Sequence, residues 1–132
     1  MTSVADTRLI VDLEFPSTQQ MATKTREFLV KELNQQLMAP TIVLTEFIKL
    51  AGAIIGQEAA KNRISQLKER GLQIVPLDEE HALTAGSLLL SHGNIPIADA
   101  IIASYVKTGK ADYVLTDDTH YKTLNVKTKW IT

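Results

Sequence analysis

Residues 95–118 read IPIADAIIASYVKTGKADYVLTDD, from Ile95 to Asp118. Ile97–Lys107 reads as an apolar helix opened by Asp99. Tyr113–Leu115 reads as a short strand, and Thr116-Asp117-Asp118 follows its carboxyl end. Helices alternating with strands argue for a parallel sheet covered on both faces, in which ligands bind outside the carboxyl ends of the strands. The same alternation runs outward through the chain. Thr2–Ala5 reads as a first strand, followed by a short helix over Arg8–Phe15 that stops before Pro16. Ser17 caps a helix over Thr18–Leu37, with Met21, Phe28, Leu29 and Leu33 near helical spacing. Pro40 admits a second strand, Thr41–Leu44. Thr45 then caps a helix carrying Phe47, Ile48, Leu50 and Ala51, loosened at its end by Gly52 and Gly56. Gln57–Arg70 is a polar helix with Ala60, Ile64 and Leu67 inward, closed by Gly71. Leu72–Val75 is a third strand ended by Pro76. Asp78 caps a helix over Glu79–Ser91 that His92-Gly93-Asn94 closes, and Val126–Trp130 alternates as a last strand.

These elements predict an α/β fold: three α/β/α layers around a central, mostly parallel sheet of about five strands. The 132 residues amount to one domain, spanning 1–132. At 45% hydrophobic and a formal net charge of −1, the chain is too apolar and too balanced to be disordered, and it is no globally basic nucleic-acid binder. It has no Cys, which excludes a disulfide framework, a thiolate zinc site and a cysteine nucleophile, and fits a reducing cytoplasm. The apolar stretches are too short or too broken to span a membrane, and Met1–Asp6 lacks the basic start and apolar core of a signal peptide.

Asp6 follows the first strand, Glu46 the second, Asp99 opens the helix before the fourth, and Asp117 and Asp118 follow that fourth strand. Strand ends of one parallel sheet lie close together, so these acids form a site only through tertiary structure. Two unit charges about 4 Å apart repel by about 4 kcal/mol at an effective dielectric of 20. Such a cluster takes up protons or recruits a cation. Oxygen ligands without Cys favour Mg²⁺ or Mn²⁺ over zinc, and those ions act on phosphates.

The chain resembles a PIN domain, the nuclease fold of the VapC-type toxins. The resemblance is carried by Asp6-Thr7-Arg8-Leu9-Ile10, Pro40-Thr41-Ile42-Val43-Leu44-Thr45-Glu46-Phe47 and Ile74-Val75-Pro76-Leu77-Asp78-Glu79-Glu80. It continues through Ile95-Pro96-Ile97-Ala98-Asp99-Ala100-Ile101-Ile102-Ala103 and Leu115-Thr116-Asp117-Asp118-Thr119-His120-Tyr121. The most specific parts are the Asp-Ala-Ile-Ile-Ala and Thr-Asp-Asp segments. The resemblance implies a metal-dependent ribonuclease, a homodimer, and an antitoxin partner that holds toxin members inactive. It implies Asp6, Glu46, Asp99 and Asp118 as the catalytic, metal-holding acids. One or two Mg²⁺ or Mn²⁺ ions there would orient a water for in-line attack on RNA, leaving a 5′-phosphate and a 3′-hydroxyl. Thr116 would hold the carboxylates in place, with Thr7 and Asp117 as supporting neighbours. Leu9-Ile10-Val11-Asp12 is a rival strand-then-acid; Asp6 is preferred because Thr7 and then an apolar run follow it, which leaves Asp12 an ordinary surface acid. The Thr-x-Asp spacing selects Asp118 over Asp117.

Two other functions remain compatible: a PIN-type RNA-processing nuclease outside a toxin system, and an inactive PIN-like binding module. A phospho-accepting receiver domain fits less well, because paired acids at the first strand are missing. His81 and His92 read as surface residues, and His120 as a polar helix end that could also reach a phosphate or the metal. Lys122, Lys127 and Lys129 are candidates for phosphate contact beside the Thr-Asp-Asp motif, or edge-strand lysines that deter aggregation. The basic face of Gln57–Arg70 reads as solvated, with RNA contact as the alternative. Arg8 pairs with an acid, binds phosphate or is solvated. Phe28, Phe47, Tyr105, Tyr121 and Trp130 read as core or interface residues, the last two with base stacking as the alternative.

Overall fold

The computed structural model describes residues 1–131. Five strands are β1 (Thr2–Ala5), β2 (Gln36–Pro40), β3 (Gln73–Val75), β4 (Tyr113–Leu115) and β5 (Thr128–Lys129). They form one sheet in the order β3-β2-β1-β4-β5, with every neighbouring pair parallel. Val4, Ala5, Leu37, Ala39, Val114 and Leu115 are all buried, the mark of strands covered on both faces. Helices α1 (Thr7–Glu14), α2 (Gln19–Leu33), α3 (Thr41–Ile55), α4 (Gln57–Glu69), α5 (Glu79–Ser91), α6 (Ile97–Lys107) and α7 (His120–Thr123) flank the sheet. The expected α/β architecture is therefore present, and its sheet is wholly parallel. Among the described residues no helix is long and apolar enough to cross a membrane.

The chain moves outward from β1 through β2 to β3, then returns to the other side of β1 with β4. The strand order thus reverses between β1 and β4, where an open α/β sheet leaves a crevice at its carboxyl edge. The register pairs Ala5 with Leu115 and so sets Asp6 beside Thr116.

Several boundaries differ from those expected. Thr41–Leu44 is the first turn of α3, not the second strand. Its composition suits a strand, but Val43, Phe47 and Ala51 form a buried stripe at four-residue spacing, and that packing selects a helix. Pro40 ends β2 and, at φ −61°, caps the helix in the place expected of Thr45. The true strand, Gln36–Pro40, takes residues from the expected Thr18–Leu37 helix, which stops at Leu33. Thr18 rather than Ser17 is its cap, accepting from the Met21 amide at 3.0 Å. The first helix begins and ends one residue earlier than expected, and the Val126–Trp130 strand shortens to Thr128–Lys129. His81, expected on the surface, is 2% exposed. It faces α6, stacked on Tyr105 with ring centroids 3.9 Å apart, because α5 and α6 pack as a hairpin with residue 81 inside.

Glu32 is a fully buried acid on α2 that the sequence did not flag. The Tyr113 hydroxyl donates to its Oε1 at 2.8 Å and the Lys129 Nζ lies 3.1 Å from its Oε2. Burial, and then the bond to Glu32, raise the Tyr113 phenol. Removing one partner leaves a buried charge uncompensated, whereas removing both does not. Lys129→Met is therefore expected to destabilise by about 2 kcal/mol, and adding Glu32→Gln to restore most of that loss. Urea unfolding of the three proteins checks it; a double variant no more stable than the single would refute the pairing.

Candidate active site

Asp6 stands at the N-cap position of α1 but makes no side-chain cap bond. Its Oδ2 accepts instead from the Thr116 hydroxyl at 2.7 Å, across the β1–β4 register. The same Thr116 oxygen accepts from the Asp118 amide at 3.0 Å. Thr116 thus ties the acid after β1 to the acid after β4. Asp99 lies in the first turn of α6, 9% exposed. Its Oδ2 is 2.8 Å from His120 Nδ1, and its Oδ1 accepts from the Tyr121 hydroxyl at 3.4 Å. His120 Nδ1 is also 3.1 Å from Asp118 Oδ1, which accepts from the His120 amide at 2.9 Å.

Glu46 arrives differently from the sequence reading. It sits in the second turn of α3, well past the end of β2, and accepts from the Thr7 hydroxyl at 2.5 Å. Asp117 turns outward and pairs with Arg8, with 2.9 Å from Nε to Oδ1. Asp12 lies further along α1, outside this network. It is half-buried rather than an ordinary surface acid, and burial raises its carboxyl against the opposing charge of Arg8. Lys129, one of the candidates for phosphate contact, is turned to Glu32.

Crowding shows in the electrostatics. Burial, with Asp99, Asp118 and Glu46 adding and Thr116 opposing, pushes the Asp6 carboxyl up to about 6. Burial also raises Asp99, against the bond from His120. The bond to Asp99, with Asp118 nearby, raises the His120 imidazole. Burial holds the Tyr121 phenol well above its usual range. Burial is the larger cause for Asp6, Asp99 and Tyr121, and the neighbouring negative charge adds to it.

The donor set suits a hard divalent cation. One ligand atom each from Asp99, Asp118 and His120 lies within 4.8 Å of the other two. Carboxylate oxygens match Mg²⁺ or Mn²⁺, and an imidazole nitrogen is tolerated better by Mn²⁺. His120, read from the sequence as a polar helix end with contact to a phosphate or the metal as the alternative, is the member outside the four expected acids. Its position two residues beyond Asp118 was the available signal; its bond to Asp99 on α6 was not visible in one dimension.

The fold is shared with solved toxin–antitoxin structures. VapBC2 from Rickettsia felis, bound to a DNA fragment from the promoter, has a TM-score of 0.76 at 20% identity, covering 100% of both chains. Mycobacterium tuberculosis VapC20, a toxin that cleaves the sarcin-ricin loop, has a TM-score of 0.77 at 14% identity, covering 96% of each. DNA-bound VapBC from Salmonella typhimurium has 0.78 at 16%, covering 100% of this chain and 99% of the other. At these identities the likeness is one of fold. No curated protein matches the sequence. The PIN domain family model, however, matches residues 4–127, which take in the end of β1, all of β2, β3 and β4 and every acid described above, and the chain therefore belongs to the PIN domain family.

Proposed function

We propose that the protein is a metal-dependent endoribonuclease, the toxin of a type II toxin–antitoxin pair, acting as a single-domain homodimer in the cytoplasm. The observation that carries this reading is the cluster of acids at the β1–β4 reversal, where Thr116 joins Asp6 to Asp118 and where burial first, then Asp99, Asp118 and Glu46, push Asp6 up to about 6. Asp6, Glu46, Asp99 and Asp118 are the proposed catalytic acids, and His120 a further candidate ligand. Thr116 and Thr7 are positioning residues that hold three of the acids by their hydroxyls and, for Asp118, by its amide. A bound Mg²⁺ or Mn²⁺ would neutralise phosphate charge and make a water more acidic. The carboxylates would hold that ion, and the buried Tyr121 hydroxyl donates to Asp99 and orients it. Hydrolysis of the phosphodiester then leaves a 5′-phosphate and a 3′-hydroxyl.

RNA as substrate is supported by a second feature. Arg26, Arg63 and Arg70 line a cleft of about 180 Å³ at the far end of α1 from Asp6, in which Arg63 is paired with Glu14 at 2.7 Å. Eight helical residues span about 12 Å, a distance over which a bound strand could reach from the acids to these guanidinium groups. A second copy is supported by exposed apolar side chains at helical spacing, Leu83 and Leu90 on α5 and Leu50 and Ile54 on α3. An antitoxin is supported by the structural neighbours being VapBC complexes.

The test is single-stranded RNA incubated with Mn²⁺, with Mg²⁺ and with EDTA, and end mapping of the products. Cleavage with either ion, silence in EDTA and 5′-phosphate ends are expected. No cleavage together with no calorimetric Mn²⁺ binding would replace the nuclease with a PIN-like binding module.

A further inference from the structure

Beside the acidic crevice lies a second cleft, of about 220 Å³, between α1 and the start of α2. Arg8 and Asp12 from α1, Phe15 and Pro16 from the connection, and Met21 and Thr25 from α2 line it. Arg8 joins it to the acidic site, since the same side chain pairs with Asp117, the neighbour of Asp118. Thr25 is 1% exposed, and its hydroxyl is a buried side-chain oxygen with no hydrogen-bond partner among the described residues. A native fold rarely leaves such a group unpaired, because its desolvation is uncompensated.

We infer that this cleft is a nucleobase subsite, which takes a base of the RNA strand next to the scissile phosphate and selects bases with an exocyclic amino group. The inference rests on the nuclease reading above. The chemistry of the walls supports it. Phe15 offers a stacking face and Met21 a soft, adaptable surface. An ionised Asp12 only accepts hydrogen bonds, so it favours a base edge that donates. Guanine presents a ring N–H and an amino group side by side and suits a carboxylate best. Adenine and cytosine offer an amino group alone. Uracil sets its single ring N–H between two carbonyl oxygens that the carboxylate repels, and ranks last. The Thr25 hydroxyl, which both donates and accepts, gains its missing partner from the bound base.

The test uses the full chain, its Asp12→Asn variant and its Thr25→Val variant on a random-sequence RNA, with the cut ends sequenced. The parent is expected to show a guanine bias at one fixed position beside the cut. Asp12→Asn is expected to lower the guanine-over-uracil preference by about tenfold. Thr25→Val is expected to lower it several-fold while raising the melting temperature, because a methyl group replaces an unpaired hydroxyl. A role in packing alone would raise the melting temperature and leave the bias unchanged. That result in both variants would overturn the inference and return the cleft to packing or to contact with a protein partner. If the parent cuts no RNA, the nuclease reading fails, and titration of the same proteins with guanosine and uridine 5′-monophosphates decides for the cleft alone. Amide shifts in residues 12–25 with the guanosine nucleotide that are weaker in Asp12→Asn would uphold it. Equal shifts with both nucleotides, or none, would refute it.

Discussion

The Asp99→Asn protein is expected to keep its fold and to lose divalent-dependent RNA cleavage by about 10³-fold or more. Both Asp99 carboxylate oxygens are engaged within the site, His120 on one and the Tyr121 hydroxyl on the other. Asparagine keeps the shape and an oxygen for the Tyr121 hydroxyl, but removes the charge that would hold a cation. Stability is therefore expected to change by no more than about 1 kcal/mol. Circular dichroism and thermal melting check the fold, calorimetric Mn²⁺ titration checks the ion, and single-turnover cleavage checks the chemistry. A folded variant that cleaves within threefold of the parent would remove Asp99 from the site. The positioning residue Thr116 supplies the graded comparison. Thr116→Val unties Asp6 from Asp118 and is expected to cost about 10- to 100-fold in metal affinity or activity.

Without metal, the protein is expected to be less stable at pH 7 than at pH 5, and Mn²⁺ to reverse the loss. The folded Asp6 carboxyl titrates near 6 against an ordinary 3.8, so the folded state binds this proton more tightly than the unfolded chain. Its stabilising contribution is complete below 3.8, declines as pH rises and is gone above about 6, a loss on the order of 3 kcal/mol in all, of which roughly 1 kcal/mol falls between pH 5 and pH 7. Asp99 and His120 are also raised, so they act in the same direction as pH increases. The lowered carboxyl of Asp78 acts oppositely, but only on the acid side of 3.8. An Asp6→Asn protein lacks the main titrating group. Its melting temperature should fall less between pH 5 and pH 7 and exceed that of the metal-free parent at pH 7. Calorimetry in buffers of different ionisation heat should show proton release as Mn²⁺ binds near pH 6. Parallel pH profiles for parent and variant would contradict the crowded-acid account.

Much of this fold was legible from residue order. A buried strand such as Tyr113–Leu115 shows as a short apolar run, whereas the first strand offers only Val4 and Ala5 and had Leu9–Val11 as a rival; the helices between strands fit parallel pairing. The misplaced second strand shows where local reading stops. Thr41–Leu44 has the composition of a strand, yet its inward positions repeat every four residues once Phe47 and Ala51 are counted. Gln36 and Leu37 read as the tail of the Thr18–Leu37 helix because a strand buried on both faces carries no alternation to mark where it begins.

The acids divide in the same way. Asp6 and Asp118 could be named from their positions after strands, because the carboxyl ends of a parallel sheet meet at one edge whatever residues intervene, and Asp99 from opening the helix that leads into β4. Their partners could not. Thr116 reaches Asp6 through the β1–β4 register, His120 reaches Asp99 through the packing of α7 on α6, and Glu46 is held by Thr7 from a different helix. Asp117 and Asp118 are identical in type and adjacent in sequence, and only the turn after β4 sends one to Arg8 and the other to His120. The order of residues determined the sheet and which acids could meet, because local propensity and strand direction act over short stretches. Tertiary structure decided which hydroxyl, imidazole or guanidinium each acid faces, because those bonds join residues that only folding brings within 3 Å or so.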